Sequence, residues 1–374
     1  MREGWTYKKL NELCEVITKG TTPTTLGYTF SEFGVNFIKI ESISTNRKLF
    51  RDKLNYISEE CNKSMSRSQL QESDILFSIA GALGRIYIVE KSVLPANTNQ
   101  ALAIIRLKDK QDLFLQYISY YLSSNTLKRQ IDIDKVGVAQ LNLSLSQIKN
   151  FIIPIPSLSE QQSIVAELDK INELISLKKA QLSDLDNLAQ SIFYDMFGDP
   201  IENEKGWEVK KLGEACSLKA GKSIKASDLV EKKDNIFPCY GGNGIRGYID
   251  RFSHEMDLPI IGRQGALCGN VNFAKGPFYA TEHAVVVTPV VNLDVVWLYY
   301  ILKGLRLENY AHGVAQPGIS VGDLNPIPLP IPPLPLQQEF AKRIELIEQQ
   351  KAQISSTIKD LETLLASRMQ HWFD

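Results

Sequence analysis

Three stretches of this chain carry the residue types of familiar catalytic chemistry, and each is missing its complement. Gly221-Lys222-Ser223 reads as the end of a phosphate-cradling loop, in which backbone amides and a lysine hold phosphate oxygens. Cys216 stands where the first glycine of that loop belongs, so the match is read as chance. Glu208–Lys210 and Glu231–Lys233 each supply Glu-x-Lys, half of a nuclease signature, without a Pro-Asp partner. An adenine methyltransferase needs an Asn/Asp-Pro-Pro-aromatic loop to hold the flipped base; the one Pro-Pro here, Pro332-Pro333, sits between Ile331 and Leu334. His254, His283, His312 and His371 lack metal-ligand spacing. The five cysteines, Cys14, Cys61, Cys216, Cys239 and Cys268, form no Cys-x-x-Cys pair. The sequence thus offers no catalytic residue, no metal site and no cofactor site, and a chain that is not itself an enzyme is expected.

What remains is scaffold and surface. With 374 residues, 44% hydrophobic and 23% charged, the chain has the size and composition of two ordinary folded domains. No apolar run approaches the roughly 18–20 residues of a membrane span, and the polar opening has no signal-peptide core. A reduced, cytoplasmic protein without membrane contact is expected. The net charge of −1 argues against a generic nucleic-acid binder, yet it hides an uneven distribution. Residues 1–157 hold 20 Lys+Arg against 15 Asp+Glu, whereas residues 158–199 hold 3 against 8. Residues 200–333 balance at 14 and 14.

The elements that must position any functional side chain are written twice. Gly4-Trp5-Thr6-Tyr7-Lys8-Lys9-Leu10, with Glu12 and Cys14, returns 202 residues later as Gly206-Trp207-Glu208-Val209-Lys210-Lys211-Leu212, with Glu214 and Cys216. Gly137-Val138-Ala139-Gln140 returns as Gly313-Val314-Ala315-Gln316 at an offset of 176. That offset then holds without a gap: Pro154, Ile155 and Pro156 meet Pro330, Ile331 and Pro332; Gln161-Gln162 meets Gln337-Gln338; Phe197 meets Phe373. The first copy's middle is therefore 26 residues longer, and its content differs. A fixed frame around divergent fillings suits two copies that read two different things.

Each copy ends in a long amphipathic helix. From Ser159 to Phe197, Ile164, Leu168, Ile171, Ile175, Leu182, Leu185, Ile192 and others recur at threes, fours and sevens; Leu336 to Phe373 repeats the pattern. Ser159 with Gln162 fits a capping box, and Gly198-Asp199-Pro200 stops the first helix. At 1.5 Å per residue each helix is roughly 55–60 Å long. Connectivity makes the pair antiparallel. The fillings read as mixed strands and helices, among them strands at Val35–Glu41, Asp74–Ala80, Ala101–Leu107, Pro259–Gly262 and Leu267–Phe273, and helices at Asp112–Ser123 and Asp294–Leu302. The expected fold class is α+β: two globular α/β domains separated by two long antiparallel helices in a coiled coil, with an internal pseudo-twofold duplication.

Ile153-Pro154-Ile155-Pro156 leading into Gln161-Gln162 and the helix, given twice and each time closing a domain-sized segment, resembles the specificity subunit of type I restriction–modification systems. The Gly-Trp openings with Lys-Lys-Leu fit as well, and the resemblance covers essentially the whole chain. It implies target-recognition domains at residues 1–157 and 199–333, each reading half of a gapped site in double-stranded DNA. It implies spacer helices at 158–198 and 334–374 that dock two DNA methyltransferase subunits and, through them, restriction (motor-nuclease) subunits. The assembled complex would be an adenine-specific DNA methyltransferase and ATP-dependent endonuclease. The recognition subunit of a related type II system shares this architecture and stays open as an alternative. A purely structural coiled coil does not account for the divergent fillings.

On that resemblance, basic and amide side chains on loops are the candidate DNA contacts, because Asn and Gln pair with adenine and Arg with guanine. In the first domain these are Lys19, Thr21 and Thr22 in the loop Thr18–Thr25, then Lys39, Arg85, Asn97, Asn99 and Gln100. In the second, Lys219 and Lys222 correspond to the first loop, Tyr240, Asn243 and Arg246 occupy a glycine-rich turn, and Arg263-Gln264 precede a glycine. Gln140 and Gln316 complete the set.

Overall fold

The computed structural model describes residues 2–133, 142–233, 236–265, 267–313 and 317–374. The backbone divides into two compact units: Met1–Lys179 with Thr357–Asp374 (unit 1), and Ala180–Ser356 (unit 2). Each unit is α+β and each contains parts of both long helices.

In unit 1 the strands are β1 (Thr6–Lys9), β2 (Cys14–Lys19), β3 (Val35–Ile38), β4 (Asn55–Ile57), β5 (Ile75–Ser78), β6 (Ile86–Ile88), β7 (Ala96–Thr98), β8 (Leu102–Leu107) and β9 (Ile152–Ile155). They form a four-stranded sheet β2-β8-β5-β6, a three-stranded sheet β4-β3-β7 and the pair β1-β9. β8 is nearly buried throughout, which explains its continuous apolar run. Its one charge, Arg106, grips the fully buried Asp74 with two hydrogen bonds of 2.7 and 2.8 Å. Asp74 also accepts the Gln71 amide at 2.8 Å, so the buried pair is satisfied.

Unit 2 repeats this plan strand for strand: β10 (Glu208–Lys211), β11 (Cys216–Ala220), β12 (Phe237–Gly241), β13 (Gly244–Ile249), β14 (Leu258–Gly262), β15 (Val271–Ala274), β16 (Tyr279–Ala280), β17 (Ala284–Pro289) and β18 (Pro328–Ile331). Its sheets are ordered β11-β17-β14-β15, β13-β12-β16 and β10-β18. The fillings that diverge in sequence therefore share one topology. Register fixes the equivalences: Lys19 faces Ala103 across β2 and β8, and Ala220 faces Val285 across β11 and β17. A bulge between Cys14 and Val16 shifts the first pairing by one residue, so the offset changes from 202 at Cys14 to 201 at Lys19. Sixteen residues separate β3 from β4 where two separate β12 from β13, the largest share of the length difference.

The long helices are Leu158–Phe197 and Leu334–Phe373, 40 residues each. The first is capped two residues before the expected Ser159. Ser157 Oγ accepts the Glu160 amide at 3.3 Å, and Glu160 takes the Ser157 amide at 3.2 Å; the box is Ser157–Glu160, not Ser159–Gln162. Ser159 lies inside the helix, where its carbonyl accepts the Ser163 hydroxyl. The paired glutamines tie strand to helix. Gln161 Nε2 donates to the Pro156 carbonyl at 3.0 Å, and Gln337 Nε2 donates to that of Pro332 at 2.8 Å.

Within each unit the helices run antiparallel. In unit 1, Glu167 bonds Arg368 and Trp372, and Lys179 reaches Glu362 at 2.8 Å. In unit 2, Asp186 meets Lys351 at 2.7 Å and Phe193 packs on Phe340 at 5.7 Å. Helix ends complete the cores. Phe373 packs edge-on against Tyr121 at 5.5 Å in unit 1, and Phe197 against Trp297 at 6.3 Å in unit 2. Among the described residues no helix is long and apolar enough to cross a membrane.

The Arg368 guanidinium and the Trp372 indole hold the Glu167 carboxyl below the usual carboxylate range. A depressed folded-state value stabilises above the unfolded pKa, and that contribution is lost as pH falls through the folded one. Glu167→Gln should therefore be less stable than the parent at neutral pH, with the deficit narrowing below about pH 4. Urea midpoints measured from pH 7 down to pH 3 check this; a deficit that stays constant across the range contradicts it.

Candidate nucleic-acid interface

One end of each four-stranded sheet gathers three loops. In unit 1, Gly20 lies so close to the backbone that a Cβ there would stand 1.9 Å from the Thr98 carbonyl oxygen. Only glycine fits. Thr21 donates its amide to that carbonyl at 3.2 Å, which presses the loop after β2 against the turn at Asn99–Gln100. Asn99 Oδ1 accepts the Ala101 amide at 3.1 Å and shapes the turn. Thr22 donates its hydroxyl to Gln100 Oε1. The third loop, between β5 and β6, is drawn alongside by Ile79 N–H to Ala101 O at 2.9 Å.

Unit 2 builds the same junction from other residues. A Cβ on Gly221 would stand 2.1 Å from the Ala280 carbonyl oxygen, and Lys222 donates its amide to that oxygen at 3.0 Å. Arg263 N–H bonds the His283 carbonyl at 3.0 Å, the counterpart of Ile79 on Ala101. Ser223 donates its hydroxyl to Glu282 Oε1 at 3.3 Å, where Thr22 holds Gln100 in unit 1. His283 Nε2 lies 3.4 Å from the same Glu282 oxygen. The β5–β6 and β14–β15 loops even share sequence, Gly81-Ala82-Leu83 and Gly265-Ala266-Leu267, with Gly81 and Gly265 at φ of 68° and 86°.

The expected DNA contacts divide on this geometry. Lys19, Gln100, Lys219, Lys222, Asn243, Arg246 and Gln264 are exposed, and Thr21, Thr22 and Asn99 are half-buried beside them. Lys219 and Lys222 occupy the positions of Thr18 and Thr21, so neither is the counterpart of Lys19. Lys39 is half-buried with its Nζ 4.1 Å over the Phe30 ring.

Four of the expected contacts are engaged within the protein. Asn97 is fully buried: its amide donates to Asn62 Oδ1 at 2.8 Å and its oxygen takes the Thr98 amide at 2.9 Å. Arg85 spends Nη1 on the carbonyls of Ile40 and Ile43, at 3.1 and 2.9 Å, pinning the long β3–β4 connection. Tyr240 is a core residue, 5.6 Å from the Phe278 ring, and Gly242-Asn243 alone makes the tight turn between β12 and β13. Arg263 braces the carbonyls of Glu282 and Ile319 at 3.3 and 3.4 Å. Leu267–Gly269 is turn, and the strand expected from Leu267 starts at Val271. Gln140 and Gln316 lie outside the described residues.

Two residues at the junction were not among the expected contacts: Ser223, read only as part of a chance phosphate-loop match, and Glu282. The shared Gly-Ala-Leu was the available signal, because it anchors an alignment of the two fillings.

The chemistry of the junction is hydrogen bonding. The Gly221 and Lys222 amides are engaged by Ala284 and Ala280, so the phosphate-loop mimic has no free amide cradle there. All five cysteines are free and buried, and burial pushes the Cys14 and Cys216 thiols up to about 12, far from a reactive thiolate. Among the described residues no three His, Cys, Asp or Glu side chains cluster as a metal site. Amides, hydroxyls, ammonium groups and the Glu282 carboxylate sit on these loops at the end of the sheet.

A family model described as the type I restriction modification DNA specificity domain matches residues 2–187 and 204–363. The specificity subunit of the type I restriction enzyme EcoprrI from Escherichia coli is 33% identical over 340 residues, 86% of this chain and 82% of that one. The MjaIX specificity subunit from Methanocaldococcus jannaschii is 24% identical, covering 91% of this chain and 86% of its own length. Among solved structures, the type I S subunit from M. genitalium superposes with a TM-score of 0.54 at 19% identity, covering 99% of this chain and 96% of that one. A chain solved in work on complex assembly and conformational transition of the type I system gives 0.59 at 20%, covering 100% and 98%.

Asn97→Ala should lower stability by about 1–3 kcal/mol, because it strands the Thr98 amide in the interior and removes the donor to half-buried Asn62. Gln100→Ala, at the exposed turn, should leave stability nearly unchanged. Urea midpoints of the two variants test the distinction, and an unperturbed Asn97→Ala contradicts it.

Proposed function

Because this chain belongs to the type I restriction–modification DNA specificity family, we propose that its two units read the two halves of a gapped double-stranded DNA site while the long helices hold two methyltransferase subunits. The chain is a specificity subunit, the non-catalytic component that gives such a complex its DNA sequence preference and that assembles with other restriction–modification subunits. The finer division assigns residues 1–157 and 199–333 to target recognition and the helices at 158–198 and 334–374 to spacing and docking. Motor-nuclease subunits join through the methyltransferases, and the modified base is adenine. The work is done in the cytoplasm, where DNA and partners meet.

One observation carries this reading: two units of identical strand order present different polar side chains at the same loop junction. A catalytic pair would need the same groups twice; a reader of two half-sites needs different ones. Supporting it, residues 1–157 carry five more basic than acidic side chains, suited to phosphate contacts, while the acidic first helix suits a protein partner better than DNA.

Helix length then acts as a ruler, since roughly 55–60 Å corresponds to about 16–17 base pairs. The test is co-expression with the partner methyltransferase and mapping of methylated adenines in host DNA. A gapped motif methylated on both strands is expected, with two methyltransferases per chain. Removing one heptad from each helix preserves the apolar seam and should shorten the gap by about three base pairs. A motif without a gap, or a gap unchanged by the matched deletions, contradicts the reading.

A further inference from the structure

The junction residues can be matched position by position. Thr98 and Ala280 accept the equivalent loop amides from Thr21 and Lys222, so Thr22 corresponds to Ser223 and Gln100 to Glu282. In both units the hydroxyl at the first position donates to the side-chain oxygen at the second. A side chain held in this way enters a groove already oriented, which is what base discrimination requires. The two held groups have nearly the same shape and different hydrogen-bonding capacity. The Gln100 amide both donates and accepts, whereas the Glu282 carboxylate only accepts.

We infer, resting on the reading above, that Gln100 and Glu282 are one base-reading position written twice, with Gln100 pairing an adenine in one half-site and Glu282 taking the N4 amine of a cytosine in the other. Gln meets adenine through its N6 and N7 edge, and Glu accepts from cytosine N4. Glu282 Oε2 has no hydrogen-bond partner among the described residues and is shielded from water, so a small turn of the side chain is what presents it to a base amine. An orphan acceptor of this kind is satisfied when a donor arrives. The surroundings let a carboxylate work near phosphates, since His283 contacts its other oxygen, Arg263 bonds its backbone carbonyl and Lys222 precedes the serine that holds it. Asn99 and Thr281, the neighbouring turn residues, are more buried and stay with the protein.

The experiment uses the chain assembled with its methyltransferase subunits and a DNA library in which one half-site at a time is randomised. Glu282→Gln should move the preference at a single base pair of one half-site from cytosine toward adenine by about tenfold or more, leaving the other half-site and the gap unchanged. Gln100→Glu should produce the mirror result in the opposite half. A Glu282→Gln complex with the parent's preference at every position overturns the inference while the parent's gapped motif upholds the function. Assembled variants that lose methylation on every library member also overturn it, because the position then does not read one base. A parent complex with no gapped motif overturns the functional reading itself.

Discussion

Neither unit closes its core with its own globular segment. Unit 1 buries Ile164 and Leu168 from the start of the first long helix and Phe373 from the end of the second. Unit 2 buries Phe340, Ile344 and Ile347 from the start of the second and Phe193 and Phe197 from the end of the first. Burying aromatic and aliphatic side chains of this size is worth about 1.5–3 kcal/mol each, so the helices are structural parts of both units. A 40-residue helix with a narrow apolar seam is not stable alone, and here its two ends are each fixed by a different core. This constraint keeps the frame invariant between the two copies: the Gly-Trp entry, the proline strand, the glutamine that grips it and the terminal phenylalanine.

Freed from closing the core, the loops at the end of the four-stranded sheets can change. Unit 1 places Thr22, Gln100 and Lys19 there; unit 2 places Ser223, Glu282 and Lys222. The glycines that bring the loop against the neighbouring strand, Gly20 and Gly221, have no room for a side chain and are present in both. A rigid junction with interchangeable polar groups is what a specificity subunit requires. On the proposed reading, phosphate contacts from the lysines would give position and the held polar groups would give sequence.

The helices, their direction and the duplication were legible because a seam repeated over 40 residues and an ungapped offset are strong signals. Ser157 and Ser159 both precede an acceptor by three residues, so sequence alone could not choose the cap. The loop chemistry was less legible for a physical reason. Asn97 and Gln100 have the same functional group three residues apart, and only the parallel pairing of β3 with β7 turns one inward to Asn62. The bulge at Cys14–Val16 displaces the first filling by one residue, which hid the match of Thr22 to Ser223, and the unequal lengths between the strands hid the separate match of Gln100 to Glu282. Tyr240 looked like a turn aromatic beside two glycines, but strand β12 carries it into the core.

The most direct measurement replaces residues 216–289, the filling from β11 to β17, with the equivalent segment of a family member that reads another sequence, and maps methylated adenines in host DNA. If each unit reads its own half-site on a common frame, one half of the motif changes while the other half and the gap length stay as they were. A chimera that assembles yet alters both halves, or the gap, would show that recognition is not divided between the two units.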